Sequence, residues 1–151
     1  MTVFADATSP ELVDMIIDGA VGLLLTDTLY GLVAVSNNRD AVERVYRIKQ
    51  RTPTKSPIIL IGDISQLYDS LPGVDSTLPD DAGLRKLLQQ TGPLIAPSAN
   101  PEGDPPAMTI AKAREYFGDT VDFYVDGGIV ADDQPSRLYR YIDDTHYERL
   151  R

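Results

Sequence analysis

Short runs of apolar residues separate the polar and amphipathic stretches of this chain. Three of these runs, at positions 21–25, 58–61 and 94–96, are shorter than typical helices and favour strands that are covered on both faces. Residues 123–125 predict a fourth strand. The tail, residues 137–150, has two strand-like segments on either side of a polar turn and predicts a hairpin.

Amphipathic stretches between these strands predict helices with recognisable ends. Capping side chains followed by apolar residues at helical spacing mark the starts, and glycines mark several of the ends. The segment at 72–79 contains two prolines and a glycine and is predicted to be a loop. The predicted helices start after Ser9, Asn38, Asp63 and Thr109, and a fifth covers residues 84–90.

Alternation of strands and helices predicts an α/β fold. Because the terminal hairpin adds antiparallel strands, we expect a single-domain, twisted, open mixed sheet with flanking helices. The length of 151 residues fits one domain over positions 1–151. Ligands of such sheets bind beyond the carboxyl ends of the strands, where polar loops follow at residues 26–30 and 98–100.

Composition excludes several kinds of chemistry. The chain has no cysteine and one histidine, which excludes a thiol nucleophile, a zinc finger, an iron–sulfur centre and a multi-histidine metal site. Metal chemistry would need oxygen ligands, and we assign no metal-ligating residue. Apolar runs are too short for a membrane span and the start has no targeting pattern, so we expect a soluble cytoplasmic protein.

Charge points to an anionic ligand. The net charge is −9, yet residues 44–57 carry five basic residues and no acidic one. On the predicted helix Lys49 falls within the apolar arc, whereas Arg44 and Arg47 project from the opposite, solvated face. Lys49 and Arg51 can reach into a cleft and bind phosphate, or Lys49 can simply bond the carbonyls at its own helix end.

The two polar loops also leave two interpretations open. Residues 26–32 carry two hydroxyls, a carboxylate and a phenol and can hold a small zwitterion. Asp27 can equally be an N-cap or a turn acid, and the threonines can simply end the strand. Gly31 allows a tight turn or a close backbone approach. Ser98 and Asn100 lie between prolines and either present a hydroxyl and an amide together or merely form a turn. A serine hydrolase is disfavoured because the only histidine, His146, lies in the tail.

Four segments in series resemble the YrdC family of threonylcarbamoyl-AMP synthases. They are TDTLYGL at 26–32, the Lys-x-Arg pair at 49–51, TGPLIAPSAN at 91–100 and VDFYVDGG at 121–128. The resemblance implies a YrdC-like sheet with a concave, positively lined face. It implies a nucleotidyltransferase reaction in which ATP, brought with Mg²⁺, reacts with L-threonine and bicarbonate to give threonylcarbamoyl-AMP and pyrophosphate. A tRNA-modifying transferase complex would then use the product for N6-threonylcarbamoyladenosine.

The resemblance also assigns roles residue by residue. Lys49 and Arg51 would carry catalysis by holding the ATP phosphates and the nascent carboxylate. Ser98 and Asn100 would contact the nucleotide phosphate. The threonine pocket would be shaped by Thr26, Thr28 and Tyr30, and further nucleotide contacts would come from Lys55, Ser136 and Arg137.

The chain departs from the family pattern in its middle. The segment before the Ser-x-Asn loop is contracted, with Pro72-Gly73-Val74 as a remnant of one motif and Thr77 where a phosphate-binding arginine belongs. Leu25 replaces a proline, and Arg137 stands where the family has threonine, so we hypothesise that Arg137 replaces the lost cation.

These departures keep a second function open. The chain can be a non-catalytic, nucleotide- or RNA-binding relative, although the net charge predicts weak RNA binding at most, through Arg44, Arg47 and Lys55. Contraction of the sheet predicts an exposed edge or a shallower cleft, and a homodimer would cover such an edge.

Overall fold

A nine-stranded mixed sheet organises the protein. The computed structural model describes residues 1–69, 72–129 and 137–150. Across the described sheet the strand order is β1-β7-β2-β3-β6-β4-β5-β8-β9. The strands are β1 (Thr2–Phe4), β2 (Gly22–Leu25), β3 (Tyr30–Val35), β4 (Ile59–Leu60), β5 (Asp75–Leu78), β6 (Leu94–Ile95), β7 (Phe123–Val125), β8 (Arg137–Asp143) and β9 (His146–Arg149).

Helices cover both faces of this sheet. Helices α2 and α4 pack with one set of strand side chains, including Leu23 and Leu32, and α1 and α3 pack with the other, including Leu24 and Val33. None of the described helices is long and apolar enough to cross a membrane. The helices are α1 (Pro10–Ile17), α2 (Arg39–Lys49), α3 (Ala82–Thr91) and α4 (Ile110–Phe117).

Two of the four predicted capping side chains are confirmed, whereas Ser9 precedes α1 without a side-chain cap hydrogen bond. The side chain of Asn38 accepts a hydrogen bond from the Ala41 amide, and Thr109 accepts one from the Lys112 amide. The helix predicted after Asp63 is instead a 3₁₀ helix, Ile64–Asp69. Its Asp63 carboxylate bonds the Ser65 amide only two residues later, so the segment turns tightly from its start.

The loop predicted at 72–79 is wrong for its second half. Residues Asp75–Leu78 form β5, which pairs in parallel with β4 and antiparallel with β8. Backbone hydrogen bonds to two partner strands stabilise β5, and amino-acid composition gives no information about such pairing. The contraction therefore leaves no open edge between β4 and β8 in the described sheet, whose edge strands are β1 and β9.

Candidate functional site

Four strand ends meet at one edge of the sheet. Strand β2 is antiparallel to β3, β3 to β6 and β6 to β4, so the end of β2, the start of β3, the end of β6 and the start of β4 lie together. A cavity of about 440 Å³ opens there. Five residues predicted from the sequence are among those that line it: Thr26, Thr28, Tyr30, Arg51 and Ser98.

Lys49 lies beneath the loop that follows β6. Only 2% of the residue is exposed. Its Nζ donates to the backbone oxygen of Ser98 at 2.5 Å, to the backbone oxygen of Asn100 at 2.7 Å and to Asn100 Oδ1 at 3.0 Å. Lys49 thus points inward as predicted. Its ammonium group bonds the loop after β6 instead of the carbonyls at its own helix end, and it does not line the cavity.

Burial leaves Lys49 with a weakened hold on its proton. Desolvation, with a smaller contribution from the charge of Arg51, lowers the pKa of Lys49 to about 8, while Glu102 acts in the opposite direction. At neutral pH the amine is still mostly protonated, so a cation is held directly under the loop.

The backbone turns sharply between Lys49 and Arg51. Gln50 adopts the left-handed conformation, with φ of 52° and ψ of 36°, and ends α2. Arg51 consequently lies on the cavity wall, where its Nε and one terminal nitrogen each donate at 3.2 Å to the carbonyls of Lys55 and Ser56. These two bonds hold the guanidinium in place and leave its remaining N–H groups for an anion.

Asn100 does not line the cavity. It is 9% exposed, and its Nδ2 donates to the Asp104 carbonyl at 2.6 Å. Its Oδ1 accepts from Lys49 and, at 2.7 Å, from the Ser98 hydroxyl. Asn100 was predicted to contact the nucleotide directly, but it is not among the residues that line this cavity. Ser98 is among them.

The loop after β2 is held by its own hydroxyl groups. Thr26 Oγ1 donates to the Leu29 carbonyl at 2.7 Å. Tyr30 Oη donates to the Gly128 carbonyl at 2.7 Å and accepts from the Gly127 amide at 3.1 Å, while burial raises the Tyr30 pKa. Thr28 lines the cavity, and no residue in the described ranges bonds its hydroxyl. Thr26 and Tyr30 therefore shape the pocket and Thr28 faces it.

The structure shows what Gly31 and Asp27 do in this loop. A Cβ on Gly31 would lie 3.3 Å from Thr26 Cγ2, so the glycine allows β3 to approach the loop after β2 closely. The Asp27 carboxylate accepts from the amides of Asp80 and Asp81 at 2.6 and 3.2 Å, so it ties its loop to the start of α3 instead of forming a local turn.

Two of the remaining predicted cations are paired outside the cavity. Lys55 forms an ion pair with Glu102, a residue that the sequence did not single out. Arg137 pairs with Asp80 at 3.2 Å and lies opposite Leu78, beside the buried Thr77. Arg137 thus stands next to the position of the missing arginine. Ser136 lies outside the described residues.

Ion pairs neutralise part of the basic stretch. Arg44 forms a two-pronged ion pair with Asp122, at 2.5 and 3.0 Å, and also donates to the Thr120 carbonyl. Arg44 keeps about a third of its side chain exposed, and Asp122 reaches it there from a segment 78 residues away in sequence. Within the described ranges, no group of three or more histidine, cysteine or carboxylate side chains is arranged for a metal ion.

Comparison with known proteins identifies the family. A threonylcarbamoyl-AMP synthase of Marinobacter nauticus is 29% identical over 179 aligned positions, covering 89% of this chain and 94% of that protein. A double variant of P. abyssi Sua5 has a TM-score of 0.79 at 21% identity, over 100% of this chain and 57% of that one. P. abyssi Sua5 in complex with L-threonine has a TM-score of 0.73 at 23% identity, over 80% of this chain and 46% of that one.

These Sua5 structures show the same fold, and this chain spans only about half of their length. The sequence model of the Sua5/YciO/YrdC family, described as telomere recombination, matches residues 14–75 and 73–151. Since these two matches cover most of the sequence, the chain belongs to the Sua5/YciO/YrdC family.

Proposed function

We propose that the chain forms threonylcarbamoyl-AMP and pyrophosphate from L-threonine, bicarbonate and ATP. The observation that carries this proposal is the convergence of Arg51, Thr28 and Ser98 on one cavity. The family relative from Marinobacter nauticus is named for this product, and P. abyssi Sua5 is known in complex with L-threonine. A volume of about 440 Å³ suits a small-molecule substrate.

Arg51 is the group best placed to receive the phosphates. It is on the cavity wall, its guanidinium is already oriented by two carbonyls, and its planar fork matches a phosphate or carboxylate edge. Lys49 adds positive charge from beneath the loop. Together they favour the triphosphate and the nascent carbamate, both anionic.

The chemistry needs positioning more than a strong base. The threonine nitrogen forms a C–N bond with the carbon of bicarbonate, one bicarbonate oxygen leaves as water, and a carbamate results. A carbamate oxygen then attacks the α-phosphorus, the new P–O bond forms, and the bond to the pyrophosphate oxygen breaks. Fixed donors and charges lower the barrier by holding the two anions together. Mg²⁺ bound to ATP would neutralise phosphate charge. Thr28 and the walls formed by Thr26 and Tyr30 hold the amino acid.

Pyrophosphate release tests this function directly. ATP, Mg²⁺ and bicarbonate are supplied with and without L-threonine, and release is expected only with threonine. Arg51→Ala should abolish release, because the cavity loses its phosphate-binding fork. Arg47→Ala is the matched control, since this arginine is exposed on α2, four residues before Arg51. Pyrophosphate release that does not depend on threonine, or that persists in the Arg51→Ala variant, contradicts the proposal.

One observation favours the alternative of a binding protein without turnover. Thr77 occupies the position of the missing arginine and is buried in β5, where it offers no charge. ATP binding measured by calorimetry, together with no pyrophosphate release under the same conditions, would support that alternative.

The proposed product also implies partners and a location. We expect a tRNA-modifying transferase complex to consume threonylcarbamoyl-AMP, and both to work in the cytoplasm. Direct RNA binding should be weak, since the net charge is −9 and Arg44 and Lys55 are paired with carboxylates. Tight, salt-insensitive RNA retention in a filter-binding assay would contradict this. Sedimentation tests whether a homodimer covers an edge strand, which a monomer at working concentration would exclude.

A further inference from the structure

We propose that β9 pairs with the β9 of a second copy of this chain, antiparallel and about a two-fold axis at Tyr147, so that two sheets join into one. The inference specifies the surface through which a homodimer forms, and it does not depend on the proposed activity. Among the described residues, β9 pairs only with β8, and all four of its residues are exposed. An exposed edge strand offers backbone groups with which another strand can pair.

The backbone of Tyr147 points to the open side of β9. The Leu150 amide donates to the Leu138 carbonyl on β8 at 2.8 Å. Because successive residues of a strand direct their N–H and C=O groups to opposite sides, Glu148 also faces β8, whereas Tyr147 faces outward. Two copies of Tyr147 opposite each other therefore exchange two backbone hydrogen bonds, each amide donating to the carbonyl of the other copy.

A row of tyrosine rings leads from the core to this edge. Tyr139 and Tyr141 are buried on β8, at 7% and 5% exposure. Tyr141 lies opposite Tyr147 in the strand register, and the ring centroids of Tyr139 and Tyr147 are 5.7 Å apart. Tyr147 itself is 40% exposed. A second Tyr147 ring continues the row, and cross-strand aromatic pairs stabilise neighbouring strands.

Charge selects the position of the two-fold axis. A two-fold pairing places one residue of β9 opposite its own copy. Glu148 on the axis would oppose two carboxylates and Arg149 two guanidinium groups, and both arrangements are destabilising. His146 on the axis would set β9 against the turn of the second copy instead of its strand. With Tyr147 on the axis, each His146 imidazole lies opposite the Glu148 carboxylate of the other copy.

The surroundings of β9 favour this contact and limit the assembly to two copies. Arg140 lies opposite Glu148 on β8, but its guanidinium donates to Asp75 at 2.9 Å, which leaves Glu148 for the second copy. Each pairing uses the single β9 of each copy, so the assembly closes as a dimer. Strands of four residues bury a small area, so the dimer should be weak and should depend on protein concentration.

Sedimentation velocity with charge variants tests the register. Wild-type protein should change from monomer to dimer as its concentration rises. His146→Glu should weaken dimerisation about tenfold, because it places a carboxylate opposite Glu148 on both sides of the axis. An equal mixture of His146→Glu and Glu148→Lys should restore the dimer, since one contact becomes a carboxylate–ammonium pair and the other stays as in the wild type. Gln90→Glu adds the same charge at an exposed position of α3 and should behave as the wild type.

Single cysteines, in a chain that has none, locate the axis. Tyr147→Cys should give a disulfide-linked dimer under mild oxidation, because residues in a hydrogen-bonded antiparallel pair have Cα atoms about 5.5 Å apart, within disulfide range. Glu148→Cys should not, since its two copies lie diagonally, about 7–8 Å apart. Val3→Cys probes β1, the other edge strand, and should also remain without a cross-link.

The outcomes separate this inference from the proposed activity. Wild-type protein that stays monomeric at all concentrations, or stronger cross-linking of Glu148→Cys or Val3→Cys than of Tyr147→Cys, would overturn the inference. A dimer with the expected cross-link that releases no pyrophosphate would support the inference while the proposed activity fails.

Discussion

Replacement of Lys49 by methionine should change how stability depends on pH. The substitution removes a buried charge while keeping an unbranched side chain. The pKa of Lys49 is lowered from 10.5 to about 8, first by burial and then by the charge of Arg51. In the unfolded chain the amine regains its ordinary pKa, so between these two values the unfolded state binds more protons than the folded state. Wild-type stability should therefore rise with pH relative to the variant.

The size of this effect follows from proton linkage. Between about pH 7 and about pH 9.5, the free energy of unfolding of the wild type minus that of Lys49→Met should increase by roughly 2 kcal/mol. Urea unfolding followed by circular dichroism measures both proteins at each pH, which suits a chain with no tryptophan.

A second lysine variant separates this effect from general alkaline titration. Lys86 is exposed on α3, and Lys86→Met should track the wild type across the same range. A difference between wild type and Lys49→Met that stays flat or falls with pH would refute the reasoning. It would mean that the three carbonyl and amide acceptors fully compensate the burial of the ammonium group.

Three further substitutions test the site and the packing around it. Tyr30→Phe leaves the Gly128 carbonyl and Gly127 amide without the phenol and should cost about 1–2 kcal/mol in urea unfolding, against no change if water replaces the hydroxyl fully. Gly62→Ala places a Cβ 2.5 Å from the Arg85 carbonyl, so α3 must shift, and a loss of about 1–3 kcal/mol is expected; unaltered stability would argue against this close packing. Arg137→Ala should weaken ATP binding in calorimetry, and an unchanged affinity would remove Arg137 as the replacement cation.

Local signals account for the parts of the fold that the sequence predicts. The caps at Asn38 and Thr109 act within three residues, and the helical phase of α2 directs Lys49 inward. Strand β5 was not predictable in this way, because its pairing depends on β8, about 60 residues later. From composition, these residues were predicted to be part of a loop.

The candidate site also combines features that local sequence predicts with features that depend on long-range contacts. The motif residues Thr28, Arg51 and Ser98 were predicted from the sequence and do line one cavity. The partners of Lys49 and the pairing of Arg44 with Asp122 depend on segments that meet only after folding. Sequence spacing can place a cation on the inner face of a helix, but it cannot say which oxygen atoms receive it.

The left-handed Gln50 limits which sequences can occupy the middle of the Lys-x-Arg pair. Its side chain is exposed, so almost any chemistry fits the space around it, yet the positive φ disfavours branched residues. Glycine or asparagine should therefore replace Gln50 with little loss, whereas valine or isoleucine should swing Arg51 away from the cavity. The middle position of the Lys-x-Arg motif is therefore restricted by its backbone conformation and not by side-chain contacts.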